Sequence, residues 1–154
     1  MGIWTDAAQI VKERTERKIK TISAAGAKEV KELAVATNIA PAAEIGVFAA
    51  GVDPWEAGKT YEQYDLFEYG GAVGYVKQPS LTAQEIYPPF SVGTEALYGA
   101  RPTPDEDGVY PYVYNMAAAV GMKVREDGVV YECIQAINDM LYPPSQIPAH
   151  FVLA

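Results

Sequence analysis

One cysteine and one histidine in 154 residues leave little material for catalysis. Cys133 alone can form no intramolecular disulfide, and its apolar, β-favouring neighbours mark it as a packed thiol rather than a nucleophile. His150 lies in Pro-Ala-His-Phe with no serine or cysteine motif beside it, so it reads as a satisfied or surface histidine. There is no Cys/His spacing for zinc and no glycine-rich phosphate loop. Asp65, Glu68, Glu126 and Glu132 alternate along strand-like runs and read as solvent-facing. No catalytic, cofactor-binding or metal-binding residue is assigned, and the chain is expected not to be an enzyme.

Basic charge is also scarce. Twelve Lys+Arg against 20 Asp+Glu give a net charge of −8, which argues against nucleic acid and against anionic membrane surfaces. No apolar run approaches the roughly 18 residues that span a bilayer. The opening residues lack the basic-then-apolar order of a secretory signal, so synthesis in a cytoplasm without a signal peptide is expected. Hydrophobic content of 49% with 21% charged residues is nevertheless that of a globular chain.

What the chain does have is repetition. Val120–Gln135 holds two β-favouring runs around Asp127-Gly128, a dipeptide that accepts the positive φ angles of a tight hairpin turn. Tyr64–Gln78 has the same plan around Gly70-Gly71, offset by 57 residues (Gly71 to Gly128). Tyr87-Pro88-Pro89 and Tyr142-Pro143-Pro144 follow the two hairpins and end them, because proline lacks the N–H and fixes φ.

The start of the chain reads differently. From Thr5 or Asp6 to about Thr37 there is no proline, and only Gly26 weakens a helix. Its least polar stripe is Trp4, Ala8, Val11, Thr15, Ile19, Ile22, Gly26, Val30, Leu33 and Thr37, an 11-residue period. Such a helix is too long for one small module to cover, so Trp4, Val11, Ile19, Ile22, Val30 and Leu33 are candidate assembly contacts. The alternative is a helix lying against its own domain.

The expected fold class is therefore α+β, a long N-terminal helix followed by two small, mainly antiparallel β modules in tandem. The divisions are 1–40 for the anchor helix, 41–53 for an apolar hinge, 54–98 for the first module, 99–110 for a linker and 111–154 for the second. The linker's Asp105-Glu106-Asp107-Gly108 reads as a solvated turn; a calcium loop is the other reading, but no glutamate follows at EF-hand spacing. Eleven tyrosines supply flat amphipathic rings, suited either to packing or to sugar and protein contact. Trp55 and Tyr61 at the opening of the first module, and Tyr112 and Tyr114 in the second, are the candidate exposed contacts for glycan or protein.

Trp55, Gly58, Tyr61, Asp65, Phe67, Tyr69 and Gly71, with Gly121, Val124, Gly128 and Tyr131, resemble in type and spacing the chitin-binding-like modules of carbohydrate-binding families five and twelve. The resemblance runs from Pro54 to about Phe151. Tyr64 stands where the pattern has glycine, and Met122 where it has aspartate. The sugar-stacking tryptophans near the module's end are missing, with Leu97-Tyr98 and His150-Phe151 in those regions. The scaffold likeness thus exceeds the sugar-binding likeness. Modules of this kind behind an N-terminal helix resemble parts of bacteriophage tail, head-fibre and capsid-decorating proteins. The resemblance implies a virion location, with other capsid or tail proteins and copies of this chain, as a homotrimer, for partners. The alternative is a free-standing protein binding a cell-surface carbohydrate.

Overall fold

The computed structural model describes residues 26–154. Among them are eleven short strands in three sheets and one helix, α1, over 26–37. The expected α+β class is corrected by this: the described chain is mostly β, with α-helix over 26–37. Residues 1–25, with Trp4, Val11, Ile19 and Ile22, lie outside the described residues. The helix stops at Thr37, whose hydroxyl turns back to donate to the Leu33 carbonyl at 2.8 Å. Asn38 then takes a positive φ of 53°, a common way to end a helix, and Pro41 prevents its resumption.

Both predicted hairpins form, and in the same register. Strands β2 (Leu66–Tyr69) and β3 (Ala72–Val76) pair antiparallel with Leu66 opposite Tyr75. Strands β8 (Lys123–Glu126) and β9 (Val129–Cys133) place Lys123 opposite Glu132, the counterparts in the second repeat. Gly70 and Gly71, like Asp127 and Gly128, all have positive φ, as a two-residue turn matching the strand twist requires. The hydrogen bonds at the base of each hairpin also correspond. Tyr64 N–H donates to the Val76 carbonyl at 2.8 Å, and Gly121 N–H to that of Cys133 at 2.9 Å.

The surrounding strands follow the same plan. Strand β5 (Tyr98–Ala100) closes the first repeat with Tyr98 opposite Val76, and β11 (Phe151–Leu153) closes the second with Phe151 opposite Cys133. Pro54 bridges Glu68 in parallel, and Pro111 in β6 (Val109–Pro111) pairs in parallel with Arg125. Each repeat adds a short two-stranded ladder: β1 (Thr60–Glu62) with β4 (Ser80–Thr82), and β7 (Met116–Ala118) with β10 (Ile137–Met140).

The repeats do not stand apart as free tandem modules. Strand β7 pairs in parallel with β5 at Ala100 opposite Met116, giving one sheet in the order β10-β7-β5-β3-β2. Ala100 N–H donates to the Asn115 carbonyl at 3.2 Å, and Asn115 Nδ2 donates to the Tyr98 carbonyl at 2.6 Å. Ala100 consequently belongs to the second repeat's core, with Met116, Val124, Met140 and Phe151. The first repeat's core is Tyr61, Phe67, Val76, Ala83 and Tyr98.

The expected hinge is tied down by side chains reaching backbone carbonyls. Arg101 donates through Nε to Pro41 O at 2.9 Å and through Nη1 to Ala100 O at 2.8 Å. Its buried guanidinium lies 4.8 Å from the Tyr75 ring centre, where the π face compensates part of the lost hydration. Tyr110 Oη donates to Glu44 O at 2.9 Å, and the Thr103 hydroxyl to Val47 O.

Gly74, in the middle of β3, has no room for a side chain. A Cβ there would sit 2.7 Å from Phe67 Cζ and 2.8 Å from the Gly99 carbonyl oxygen, which is backbone and cannot turn aside. Gly74→Ala should therefore cost about 1–3 kcal/mol of stability, as overpacking of a filled core does, measured by urea denaturation. Unchanged stability would show that β3 and β5 are less closely apposed than described.

Candidate functional site

Trp55 is fixed by the backbone around it. Its N–H donates to Glu68 O at 2.8 Å while Glu68 N–H donates to Asp53 O at 2.9 Å. Its half-buried ring stands edge-on to Tyr69 (5.5 Å) and Tyr98 (6.4 Å), and Nε1 donates to the Tyr98 hydroxyl at 3.1 Å. The indole's polar atom is thus already used within the fold. Tyr61, expected to be exposed, is a correction: it is 3% exposed, packs against Phe67 and accepts the Glu56 N–H on its hydroxyl at 2.9 Å. The alternation of β1 turns it inward between Thr60 and Glu62, which face solvent.

Tyr112 is the counterpart of Trp55, with its N–H on Arg125 O at 3.0 Å. It is half-buried, and its hydroxyl donates to Met140 O at 3.3 Å. Burial raises its pKa, and the neighbouring Glu126 adds to this. Tyr114, also half-buried, donates its hydroxyl to Glu95 Oε1 across the seam between repeats. That bond holds the Glu95 carboxyl below its ordinary value, helped by the Gly93 N–H, and pushes the Tyr114 phenol up to about 12. Of the four candidate contacts, then, one is core and three are half-buried rings with their polar atoms engaged.

The more open rings are others. Tyr87 and Tyr142 are 46% and 59% exposed, each immediately before Pro-Pro at the same place in its repeat. The repeated Tyr-Pro-Pro was legible in the sequence, but reading it only as a strand terminator concealed that each copy presents a ring. Tyr69 presents part of its ring beside Trp55.

A separate apolar surface lies beside α1. The helix docks on the first repeat through Ala34, buried against Tyr64 and Tyr75, and through Lys31, whose ammonium reaches Asp65 and, at 3.1 Å, Glu62. The Asp65 hydrogen bond is the largest cause of the raised Lys31 pKa. Val30, Leu33 and Thr37, the last residues of the predicted stripe, point elsewhere. With Ile39, Pro41, Ala42 and Ile45 they line an open groove of about 260 Å³. Leu33 is 62% exposed there, and Ile39 is exposed as well.

The remaining reactive groups are occupied. Cys133 is buried, its Sγ reaches Gln135 O at 3.2 Å, and burial raises its pKa, opposite to what activates a thiol. His150 Nδ1 meets the same carbonyl at 2.9 Å. Asp105 accepts the N–H groups of Asp107 (2.9 Å) and Val109 (3.0 Å) and pairs with Arg125, closing its turn on itself. Among the described residues no group of three or more His, Cys, Asp or Glu is placed to hold a metal ion, and no helix is long and apolar enough to cross a membrane. No family model matches this chain, and no curated protein matches it either.

The Tyr114–Glu95 pair gives a pH signature. An unfolded tyrosine titrates near pH ~10, so the folded chain holds this proton longer. The pair's contribution is intact below that pH and is lost as the pH rises toward about 12. Ultraviolet titration should show a phenol component near 12 that Glu95→Gln moves back toward the ordinary range. A titration unaffected by that substitution would dissociate Tyr114 from Glu95.

Proposed function

We propose that this chain is a non-enzymatic structural protein of a bacteriophage virion, a capsid decoration, head-fibre or tail-associated component that displays two carbohydrate-binding-like repeats. One observation carries the assembly part of this reading: α1 turns Lys31 and Ala34 to its own domain and leaves Val30 and Leu33 in an open apolar groove. A monomer gains nothing from exposing that face, whereas a surface of contiguous apolar residues is what a protein partner covers. The likeness to virion modules supplies the class of protein, and copies of this chain, as a homotrimer, together with other capsid or tail proteins, are the partners. The virion is the location, after synthesis in the host cytoplasm.

The second reading, an adhesin or free-standing binder of a cell-surface glycan, draws on the exposed rings of Tyr87 and Tyr142. They repeat in position, as ligand contacts in tandem modules would. The engaged Nε1 of Trp55 and the burial of Tyr61 weigh against a sugar face at the module's opening.

Val30→Asp with Leu33→Asp tests the docking face. Native mass spectrometry should find the unaltered chain in an assembly larger than that of the double variant, whose β circular-dichroism signal is retained. Assembly that survives the two charges would remove the groove from the interface.

A further inference from the structure

The seam between the repeats shows what the closing strand of this module is able to do. In β5, Ala100 directs its N–H away from β3, and the second repeat supplies Asn115 O to accept it. Strand β11 is the same strand in the second repeat, with Phe151, Val152 and Leu153 in the places of Tyr98, Gly99 and Ala100. Even the bond beyond the strand recurs, Ala154 N–H to Val130 O matching Arg101 N–H to Val73 O. Among the described residues, no covering strand recurs beside β11. Ala100 is 0% exposed, whereas Leu153 is 71% exposed and Val152 is also open.

Proteins blunt free sheet edges with charge, proline or polar side chains. The other described edges conform: β6 has Pro111, β10 has Asn138 and Asp139, β2 has Pro54 and Glu68 along it, and β1 and β4 expose Thr60, Glu62, Ser80 and Thr82. Strand β11, Phe-Val-Leu, has none of these. We infer that β11 is a self-association edge, pairing antiparallel with β11 of a second copy about a twofold axis to continue the four-stranded sheet across two chains.

A second copy using its own β11 fits better than head-to-tail continuation of the repeats. Head-to-tail contact would seat β11 against the first repeat's counterpart of the seam strand. There Gly58 and Lys59 replace Asn115 and Met116, so the amide that reaches Tyr98 O and the buried methionine are both missing. A polar, charged strand is a poor cover for Leu153. The isologous arrangement instead sets apolar against apolar and satisfies itself. Leu153 N–H donates to Phe151 O of the second copy, and Phe151 O accepts the reciprocal bond from that copy. Phe151 N–H is already spent on Ile147 O at 3.2 Å. This surface is separate from the groove beside α1.

The register specifies the test. With Phe151 opposite Leu153 of the second copy, the two Val152 residues face each other as a non-hydrogen-bonded pair, about 4.5 Å between Cα atoms, within disulfide range. Val152→Cys is made in the Val30→Asp, Leu33→Asp background, so that contact through the groove does not contribute. Mild oxidation should convert most of the chain to a disulfide-linked dimer, and Cys133 is buried and does not compete. Adding Leu153→Asp, at an exposed position that tolerates charge, should reduce linking at least tenfold with the fold intact by circular dichroism. If Val152→Cys remains unlinked, or links equally well when Leu153→Asp is added, the proposal is overturned. It is also overturned if Lys59→Cys with Leu153→Cys links efficiently while Val152→Cys does not, since Lys59 stands in the place of Met116, the partner of Ala100 at the seam.

Discussion

The outer edge of β5 is the constraint on which the arrangement of this chain turns. A closing strand satisfies its backbone on one side only, and a buried N–H or carbonyl without a partner costs about 1–3 kcal/mol, roughly twice what a made hydrogen bond contributes. Here Asn115 resolves the problem twice. Its carbonyl takes the Ala100 N–H and its side-chain amide takes the Tyr98 carbonyl, two positions along the same edge. Asn115 does both at φ of 67°, a conformation asparagine tolerates better than most. Gly58, at the same place in the first repeat, has φ of 88° and no amide to offer. Asn115 and Met116, where the first repeat has Gly58 and Lys59, thus join two small sheets into one.

The other fixed point is the buried guanidinium of Arg101. A charge removed from water needs compensation, and here it comes from two carbonyls and an aromatic face rather than a carboxylate. Desolvation lowers the Arg101 pKa, yet Tyr75, Asp139 and Glu44 act in the opposite sense. The consequence is positional: Pro41, just past the helix, is pinned to β5. That places α1 beside the first repeat, where Lys31 can reach Asp65 and Tyr64 Oη can donate to Asn38 Oδ1 at 3.2 Å. The groove of Val30, Leu33 and Ile45 lies between the segments that these two anchorages fix.

Local chemistry was the legible part of the sequence. Gly70-Gly71 and Asp127-Gly128 announce their turns because few other pairs accept positive φ twice in succession, and the offset between them carried through to the hydrogen-bond register. Non-local pairing was not legible. Nothing in Met116-Ala117-Ala118 identifies it as a strand that would join the other repeat's sheet, since a short apolar run has no period to read. Tyr61 was illegible for a related reason: the side of a three-residue strand that faces inward depends on its partner, β4, and not on its own letters.

The positions at which the two repeats differ record their different neighbours. Asp65 accepts the Glu62 N–H on Oδ2 at 2.7 Å; Met122, its counterpart, accepts the Ala119 N–H on Sδ at 3.1 Å. The sulfur keeps the turn closed, so aspartate is not needed for that. What the carboxylate adds is a partner for Lys31, on the helix that docks on the first repeat. Tyr64 obeys the same logic in reverse. A tyrosine at φ of 68° carries strain of about 1–2 kcal/mol that Gly121 avoids at φ of 93°. The strain is offset by burying its ring against Ala34 and Tyr75, contacts available only where a helix docks. The differences between the two repeats are fitted to the helix on one side of the molecule and to the seam in its middle. By the same reasoning, the apolar Phe-Val-Leu of β11 is out of keeping with an edge facing water and in keeping with one that meets another strand.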